Sequence, residues 1–133
     1  MPYQVSCYDT VLTVRIDGRC NPQELYLELR SALDNQSAPV IAILDLTLAA
    51  SFDQQLKSMF YRALQHHYVA AVGICGVNAM LAKDVDDVIP VLRRIRRVVV
   101  AETDSDVRAE LGLTAPIEPS RKLTGMLAYL KKP

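Results

Sequence analysis

Two near-continuous aliphatic runs constrain the fold of this chain more than any other feature. They read VIAILDL over residues 40–46 and VAAVGICGV over residues 69–77, and Asp45 is the only charged residue in either run. A strand with one face in water alternates apolar and polar residues, whereas a strand of a parallel sheet is buried on both faces and is apolar throughout. The two runs therefore predict central, parallel strands that are covered on both faces.

The segments around these runs predict a hairpin and crossover helices. Residues 11–17 alternate between apolar and polar, which is typical of a strand with one buried face. In NPQELYLELRSALDN, Asn21 suits the N-cap of a helix and Pro22 suits its first position. Helical spacing then predicts two buried stripes, Leu25, Leu29, Ala32 and Leu33 on the first helix and Leu56, Met59, Phe60, Ala63 and Leu64 on the second.

The second half of the chain continues the alternation. Asn78 is placed to cap a third helix, and Pro90 lies inside it. Because proline cannot donate a hydrogen bond and clashes with the carbonyl four residues back, we expect a kink or a break there. RRVVVAET then predicts a further strand, and TDSDVRAELG predicts a short helix opened by Thr103.

These elements together predict one α/β domain. An N-terminal hairpin precedes alternating helices and strands, which implies a mixed central sheet with parallel core strands and helices packed outside it. We expect this domain to cover residues 1–113. Residues 114–133 form a C-terminal extension, for which we expect a short helix packed on the domain or at a dimer contact.

Composition argues against several classes of function. Fifteen Lys and Arg balance fifteen Asp and Glu, and this net charge of zero argues against nucleic acid as a partner. The three cysteines are widely spaced and the two histidines, His66 and His67, are adjacent, so we expect no disulfide framework, no metal site and no cofactor. With no recognisable signal peptide and no apolar stretch of membrane-spanning length, we expect a cytoplasmic protein of bacterial type without a membrane span.

The strongest candidate site is the polar step inside ILDLTLAASFDQQL, residues 43–56. Ser51 suits the N-cap of the second helix and Asp53 suits its first turn, which gives the step a structural explanation. The step also follows a parallel strand, and open α/β folds bind ligands at the carboxyl edge of the sheet. We therefore predict a partner-binding surface formed by Thr47, Ser51, Asp53, Gln54 and Gln55.

The densest charge feature is RRIRR, which contains Arg93, Arg94, Arg96 and Arg97. Arginines near the last carbonyls of a helix commonly form a solvated helix end. The functional alternative is contact with an anion or an acidic partner, since guanidinium groups match oxyanions. The sequence leaves both interpretations open.

Two stretches of the chain resemble the STAS domain, the family of bacterial anti-sigma factor antagonists and of the cytoplasmic parts of sulfate transporters. VLTVRIDGRCNPQELYLELRSAL is similar to the family's second strand, its glycine and its first helix. VIAILDLTLAASFDQQL is similar to the strand that ends in Asp-Leu-Ser/Thr, the loop after it, and the helix that opens with aspartate. The resemblance covers Tyr3 to Leu113 and implies a regulatory module whose partner is a protein of the anti-sigma factor type.

The sequence departs from this family at the position of its phosphoswitch. In phosphoregulated members, the partner kinase phosphorylates a serine or threonine just after the helix-opening aspartate. Gln54 and Gln55 follow Asp53 here, and neither has a hydroxyl group. Thr47, Ser51 and Ser58 remain as alternative phosphorylation sites, and the spacing singles out none of them.

We therefore expect a non-enzymatic regulatory module that binds a protein. The alternative is a module that holds a small ligand, a lipid or a nucleotide, in apolar space under the second helix. An enzyme ranks third, because the sequence shows no triad, metal set or phosphate loop, and neither Asp45 nor Cys75 has a recognisable catalytic partner. The zero net charge mildly favours self-association, so a homodimer stays open.

Overall fold

The computed structural model describes residues 2–113 as a mixed sheet with helices on both faces. The elements in chain order are β1 (Tyr3–Tyr8), β2 (Val11–Gly18), α1 (Pro22–Asp34), β3 (Val40–Ala49), α2 (Gln54–Ala63), β4 (Val69–Cys75), α3 (Ala82–Arg93), β5 (Arg97–Ala101) and α4 (Asp104–Glu110). The strands lie side by side in chain order, with β1 antiparallel to β2 and all later pairs parallel. The predicted α/β fold, with its hairpin and parallel core strands, is confirmed.

The C-terminal extension predicted for residues 114–133 lies outside the described residues, so the domain boundary at residue 113 stays a prediction. Within residues 2–113, no helix is both long enough and apolar enough to cross a membrane.

The helices cover the two faces of the sheet unequally. Three of them, α1, α2 and α3, pack on one face, here called the first face, and bury strand residues that include Leu12, Ile16, Leu44 and Ile74. The short helix α4 packs on the second face, where Val107 joins Val11, Ile43 and Cys75. This close approach requires Gly73, because a Cβ atom at that position would collide with the Val107 side chain. The central strand β3 is thus covered on both faces, as its apolar run predicts.

The hairpin and α1 form as the sequence predicts. Asp9 adopts a φ of 58° in the two-residue turn between β1 and β2, a conformation that aspartate tolerates better than most residues. Asn21 is the N-cap of α1, and its Oδ1 accepts hydrogen bonds from the N–H groups of Gln23 at 2.9 Å and Glu24 at 3.3 Å. The alternation on β2 is confirmed by its buried residues, Leu12, Val14 and Ile16.

The start of α3 differs from the prediction. The helix begins at Ala82, and its N-cap, Leu81, makes no side-chain capping bond. Asn78 instead closes the turn before the helix, where its Oδ1 accepts from the N–H of Leu81 at 3.0 Å. The Asn78 side chain therefore accepts a hydrogen bond from a backbone N–H, as an N-cap does. It does so one turn before α3 begins, so it does not cap this helix.

Of the kink or break predicted at Pro90, the break is wrong, because α3 continues as one helix to Arg93, and the kink stays a prediction. Pro90 lies on the exposed side of the helix, and so does Asp86, whose carbonyl loses its helical donor. A carbonyl on the solvent side can bond to water instead. The buried stripe of Val85, Val88 and Leu92 then holds the helix on the sheet.

Candidate functional site

The helix α2 begins two residues later than the sequence predicted. Asp53, not Ser51, is its N-cap: the backbone of Asp53 is extended, and its Oδ1 accepts from the N–H of Leu56 at 3.0 Å. Phe52 explains the difference, since its side chain is 1% exposed and its ring centroid lies 5.8 Å from that of Phe60. Burial of Phe52 against α2 fixes how the chain enters the helix, so the first turn starts after it.

The first turn of α2 presents polar groups to solvent on an apolar anchor. Asp53, Gln54 and Gln55 are all exposed. The residues that hold the helix on the first face are buried: Leu56, Met59, Phe60 and Ala63. Since the anchor is part of the main core cluster, the three exposed side chains sit on a rigid support.

This exposed start of α2 lines a groove that it shares with α1. The groove has a volume of about 600 Å³. Its α1 side includes Asn21, Gln23 and Tyr26, and its α2 side includes Gln54, Gln55 and Arg62. The Arg62 guanidinium carbon lies 4.6 Å from the centroid of the Tyr26 ring, a cation–π contact that links the two walls. Both helices follow parallel strands, so their N-termini meet at the same edge of the sheet.

Cys20 lies between the two helix starts, close to the carboxylates of Asp53 and Glu24. Burial raises the pKa of the Cys20 thiol, and these two negative charges raise it further. The thiol is therefore protonated at neutral pH and is a poor nucleophile. Cys75 is buried on β4, and this burial raises the pKa of its thiol to about 12.

Thr47 does not line the groove, and its polar groups are engaged locally. Its N–H and its hydroxyl donate to Asp45 Oδ1 at 2.9 Å and 2.6 Å. Arg15 Nε lies 3.5 Å from the other carboxylate oxygen of Asp45, so this carboxylate is held from two sides. Gly76, with a φ of 73°, packs directly against the Thr47 backbone. Thr47 and Asp45 thus belong to a structural network in the second half of β3.

Of the three hydroxyl groups considered for phosphorylation, Ser58 is the best placed. It is exposed on α2, lines the groove, and its Oγ accepts from Gln54 Nε2 at 3.3 Å. Ser51 is half-buried, and the Thr47 hydroxyl is bonded to Asp45. The structure therefore separates Ser51 and Thr47 from the groove that Gln54 and Gln55 line.

The arginine cluster is divided by the fold. Arg93 and Arg94 are exposed at the end of α3. Arg96 donates to the carbonyls of Gln65 at 3.1 Å and His66 at 3.0 Å, which ties the end of α3 to the loop after α2. Arg97 starts β5 and donates to the carbonyl of Glu110 at 3.0 Å. Two of the four guanidinium groups therefore bind backbone carbonyls. The guanidinium groups of Arg93 and Arg94 are the two that could bind an anion without giving up such a bond.

The His66 side chain joins α1 to the segment before β4. Its Nε2 lies 2.9 Å from Asp34 Oδ1, and its Nδ1 accepts from the N–H of Tyr68 at 3.2 Å. Arg30 also pairs with Asp34, at 3.4 Å. The pKa of Asp34 is lowered, chiefly by the hydrogen bond from His66. Because both ring nitrogens are engaged, His66 has no nitrogen directed at a substrate.

The polar side chains of the groove have the features of a binding surface. In the described part of the chain, no three His, Cys, Asp or Glu side chains come close enough together to hold a metal ion. The groove contributes amides, a hydroxyl, a phenol and a guanidinium, which are groups that recognise a partner by hydrogen bonds and charge.

Sequence reasoning missed the α1 half of this groove. Asn21 and Gln23 were interpreted only as part of a helix start, and Tyr26 and Arg62 were not considered. A signal was present, because two helices that follow adjacent parallel strands place their N-termini side by side. No known family model matches the sequence, and no curated protein matches it. The STAS resemblance therefore remains a prediction from the residues quoted above.

Proposed function

We propose that this chain is a non-enzymatic regulatory module that binds a protein partner through the start of α2. The docking surface comprises Asp53, Gln54 and Gln55, together with Asn21 and Gln23 on the facing wall of the groove. The observation that carries the proposal is the exposed, polar first turn of α2 on an anchor of fully buried side chains. A partner can bind such a surface without any rearrangement of the buried side chains.

The resemblance to the STAS domain supports a partner of the anti-sigma factor type, acting in the cytoplasm. The order of strands and helices and the aspartate that opens α2 are consistent with it. Regulation by phosphorylation, if the module uses it, falls on Ser58, the candidate hydroxyl that lines the groove. A phosphate there would add negative charge near Arg62, on the same helix one turn away.

A small-ligand module is the second candidate, and the volume of the groove favours it. About 600 Å³ falls within the range of sites that hold small molecules. The ligand would lie in the groove between α1 and α2 and not under α2, because Phe52, Leu56 and Phe60 fill that space and are each 1% exposed. The walls of the groove combine polar side chains with the apolar side chains of Pro22, Leu27 and Met59, so a lipid and a nucleotide both stay open as ligands.

A site-specific photocrosslink separates these functions. A photoreactive amino acid replaces Gln55 on the docking surface, and in a control variant it replaces Ala109, an exposed residue of α4 on the second face. We expect the Gln55 variant, expressed in its native host, to form a discrete covalent adduct with one protein that the Ala109 variant does not form. Identical adduct patterns for the two variants would contradict the proposal. Native mass spectrometry of the purified chain tests the second candidate, which requires a retained mass above that of the protein.

A further inference from the structure

The strand β1 lies at one edge of the sheet, and its outer hydrogen-bonding groups are unpaired within residues 2–113. The N–H of Asp17 on β2 donates to the carbonyl of Pro2 at 2.8 Å, so Pro2 faces β2. Along an antiparallel strand, residues face the neighbouring strand alternately. The backbone groups of Tyr3, Val5 and Cys7 therefore point away from the sheet and offer three N–H donors and three carbonyl acceptors.

This edge lacks the features that usually keep sheet edges apart. Its sequence, YQVSCY, contains no charged residue and no proline, and the strand is regular over its length. Natural edge strands are commonly protected by charged side chains, by proline or by bulges. The opposite edge strand, β5, begins with Arg97, whose guanidinium binds the carbonyl of Glu110. The two edges thus differ, and β1 is the one suited to accept another strand.

We propose that β1 pairs with β1 of a second copy of this chain, in an antiparallel register centred on Val5. The outward-facing residues are three in number and evenly spaced, so a two-fold axis at Val5 places Val5 opposite its own copy and Tyr3 opposite Cys7. Each of these opposed pairs exchanges two backbone hydrogen bonds. The same patch is complementary to itself, which is the requirement for a symmetric dimer. The two sheets then form one continuous sheet.

Charge is compatible with this pairing and with a second copy as the occupant. No like charges oppose each other, because none of the side chains of β1 is charged. Acidic side chains lie beside both ends of β1, with Glu24 and Glu28 of α1 near Tyr3 and Asp9 of the hairpin turn near Cys7. In the antiparallel arrangement Tyr3 of one copy lies opposite Cys7 of the other, so these solvent-exposed carboxylates repel each other only weakly at physiological salt, where the screening length is about 8 Å. The zero net charge of the chain also leaves no long-range repulsion between copies.

The test is the mass of the purified full-length chain in solution, measured by light scattering over a series of concentrations. We expect a concentration-dependent change from 14.8 kDa towards twice that mass. Val5→Pro removes an outward N–H while leaving the hydrogen bonds between β1 and β2 in place, so it should shift the chain to the monomer. Val5→Ala also removes most of the valine side chain but keeps the backbone N–H, so this variant should still dimerise. Circular dichroism establishes that both variants fold.

A crosslink tests the register independently, and also serves if Val5→Pro fails to fold. Opposed residues in such a pair have Cα atoms about 5.5 Å apart, which suits a disulfide. Tyr3→Cys should therefore form an intermolecular disulfide with Cys7 of the partner subunit under mild oxidation, and Tyr3→Cys combined with Cys7→Ser should not. A wild-type chain that stays at the monomer mass throughout, or a dimer that persists in folded Val5→Pro, would overturn the proposal. Failure here would leave the docking surface on α2 untouched.

Discussion

The contact between Gly76 and Thr47 allows a sharp test of how the carboxyl edge of the sheet is built. Gly76 follows β4 with a φ of 73°, and a Cβ atom added there would collide with Oγ1 of Thr47 and would also lie 2.5 Å from the backbone nitrogen of Thr47 and 2.8 Å from its Cα. Gly18 ends β2 with a φ of 70°, but a Cβ atom there would meet nothing within 4 Å. The two glycines share a backbone conformation and differ in the space around them, so Gly18→Ala is a matched control for Gly76→Ala.

The expected losses in the free energy of unfolding follow from these distances. The left-handed conformation costs an alanine about 1–2 kcal/mol, and the less flexible unfolded chain offsets about 0.4–1 kcal/mol of that. We therefore expect Gly18→Ala to lose about 1 kcal/mol. Gly76→Ala adds a collision with the β3 backbone, and overpacking of this kind costs about 1–3 kcal/mol more. The total of about 2–4 kcal/mol is a large share of a typical domain stability of about 5–15 kcal/mol.

Urea unfolding followed by circular dichroism measures both losses, provided that the slope with urea stays the same. The collision involves backbone atoms of Thr47 as well as its hydroxyl, so removing the side chain by Thr47→Gly should relieve only part of the loss in Gly76→Ala. Equal losses in Gly18→Ala and Gly76→Ala would refute the reasoning, because they would mean that the close approach of β4 to Thr47 costs nothing. Full rescue by Thr47→Gly would show that the collision is confined to the side chain.

Three further outcomes are expected. Phe60→Ala should lower the free energy of unfolding by about 3–5 kcal/mol in a thermal or urea melt, because it empties a fully buried position. At pH 8, exposed Cys7 should react with iodoacetamide in the native protein, whereas Cys75, whose buried thiol has a pKa of about 12, should be labelled only after unfolding, as peptide mass spectrometry can show. The bond from His66 lowers the pKa of Asp34, so wild-type stability should fall as the pH drops below the ordinary aspartate value of about 3.9, and Asp34→Asn should weaken that dependence.

The sequence predicted the elements that rest on local chemistry. The start of α1 combines a capping asparagine with a proline at the first helical position, and both act within one turn. The apolar run of β3 is long enough that only a strand buried on both faces explains it. These features depend on neighbouring residues alone, so a single sequence was sufficient to predict them.

The errors arose where distant packing decides between two local options. Ser51 and Asp53 are both good N-caps. Phe52, which lies between them, is buried against Phe60 in the second turn of α2, and this contact selects Asp53. Proline ends helices in many contexts. Pro90 instead lies on the exposed side of α3, while the buried residues on the opposite side hold the helix on the sheet. The division of RRIRR likewise depends on which carbonyls the fold brings within reach of Arg96 and Arg97.

The candidate site was predicted in part for the same reason. Gln54 and Gln55 could be identified because they occupy the place of a switch in the family that the sequence resembles. Their groove was missed, because its other wall is formed by α1, more than 20 residues earlier in the chain, and only the order of the strands signals that the two helix starts meet. Thr47 was included because it follows the apolar run of residues 40–46, and only the structure shows that it lies within β3 with its hydroxyl hydrogen-bonded to Asp45.

The measurement that tests the central claim most directly is the affinity of the crosslinked partner for charge variants of the docking surface. Asp53→Lys reverses a charge at the start of α2, and Asp86→Lys makes the same change at an exposed position of α3. Losing the N-cap costs Asp53→Lys about 0.5–2 kcal/mol of stability, so Asp53→Asn, which keeps the cap, serves as the control for folding. We predict that Asp53→Lys weakens binding at least tenfold, since a repulsive contact in an interface costs several kcal/mol, while Asp86→Lys binds like wild type. Equal affinities for Asp53→Lys, Asp86→Lys and wild type would contradict the account and place the docking surface elsewhere.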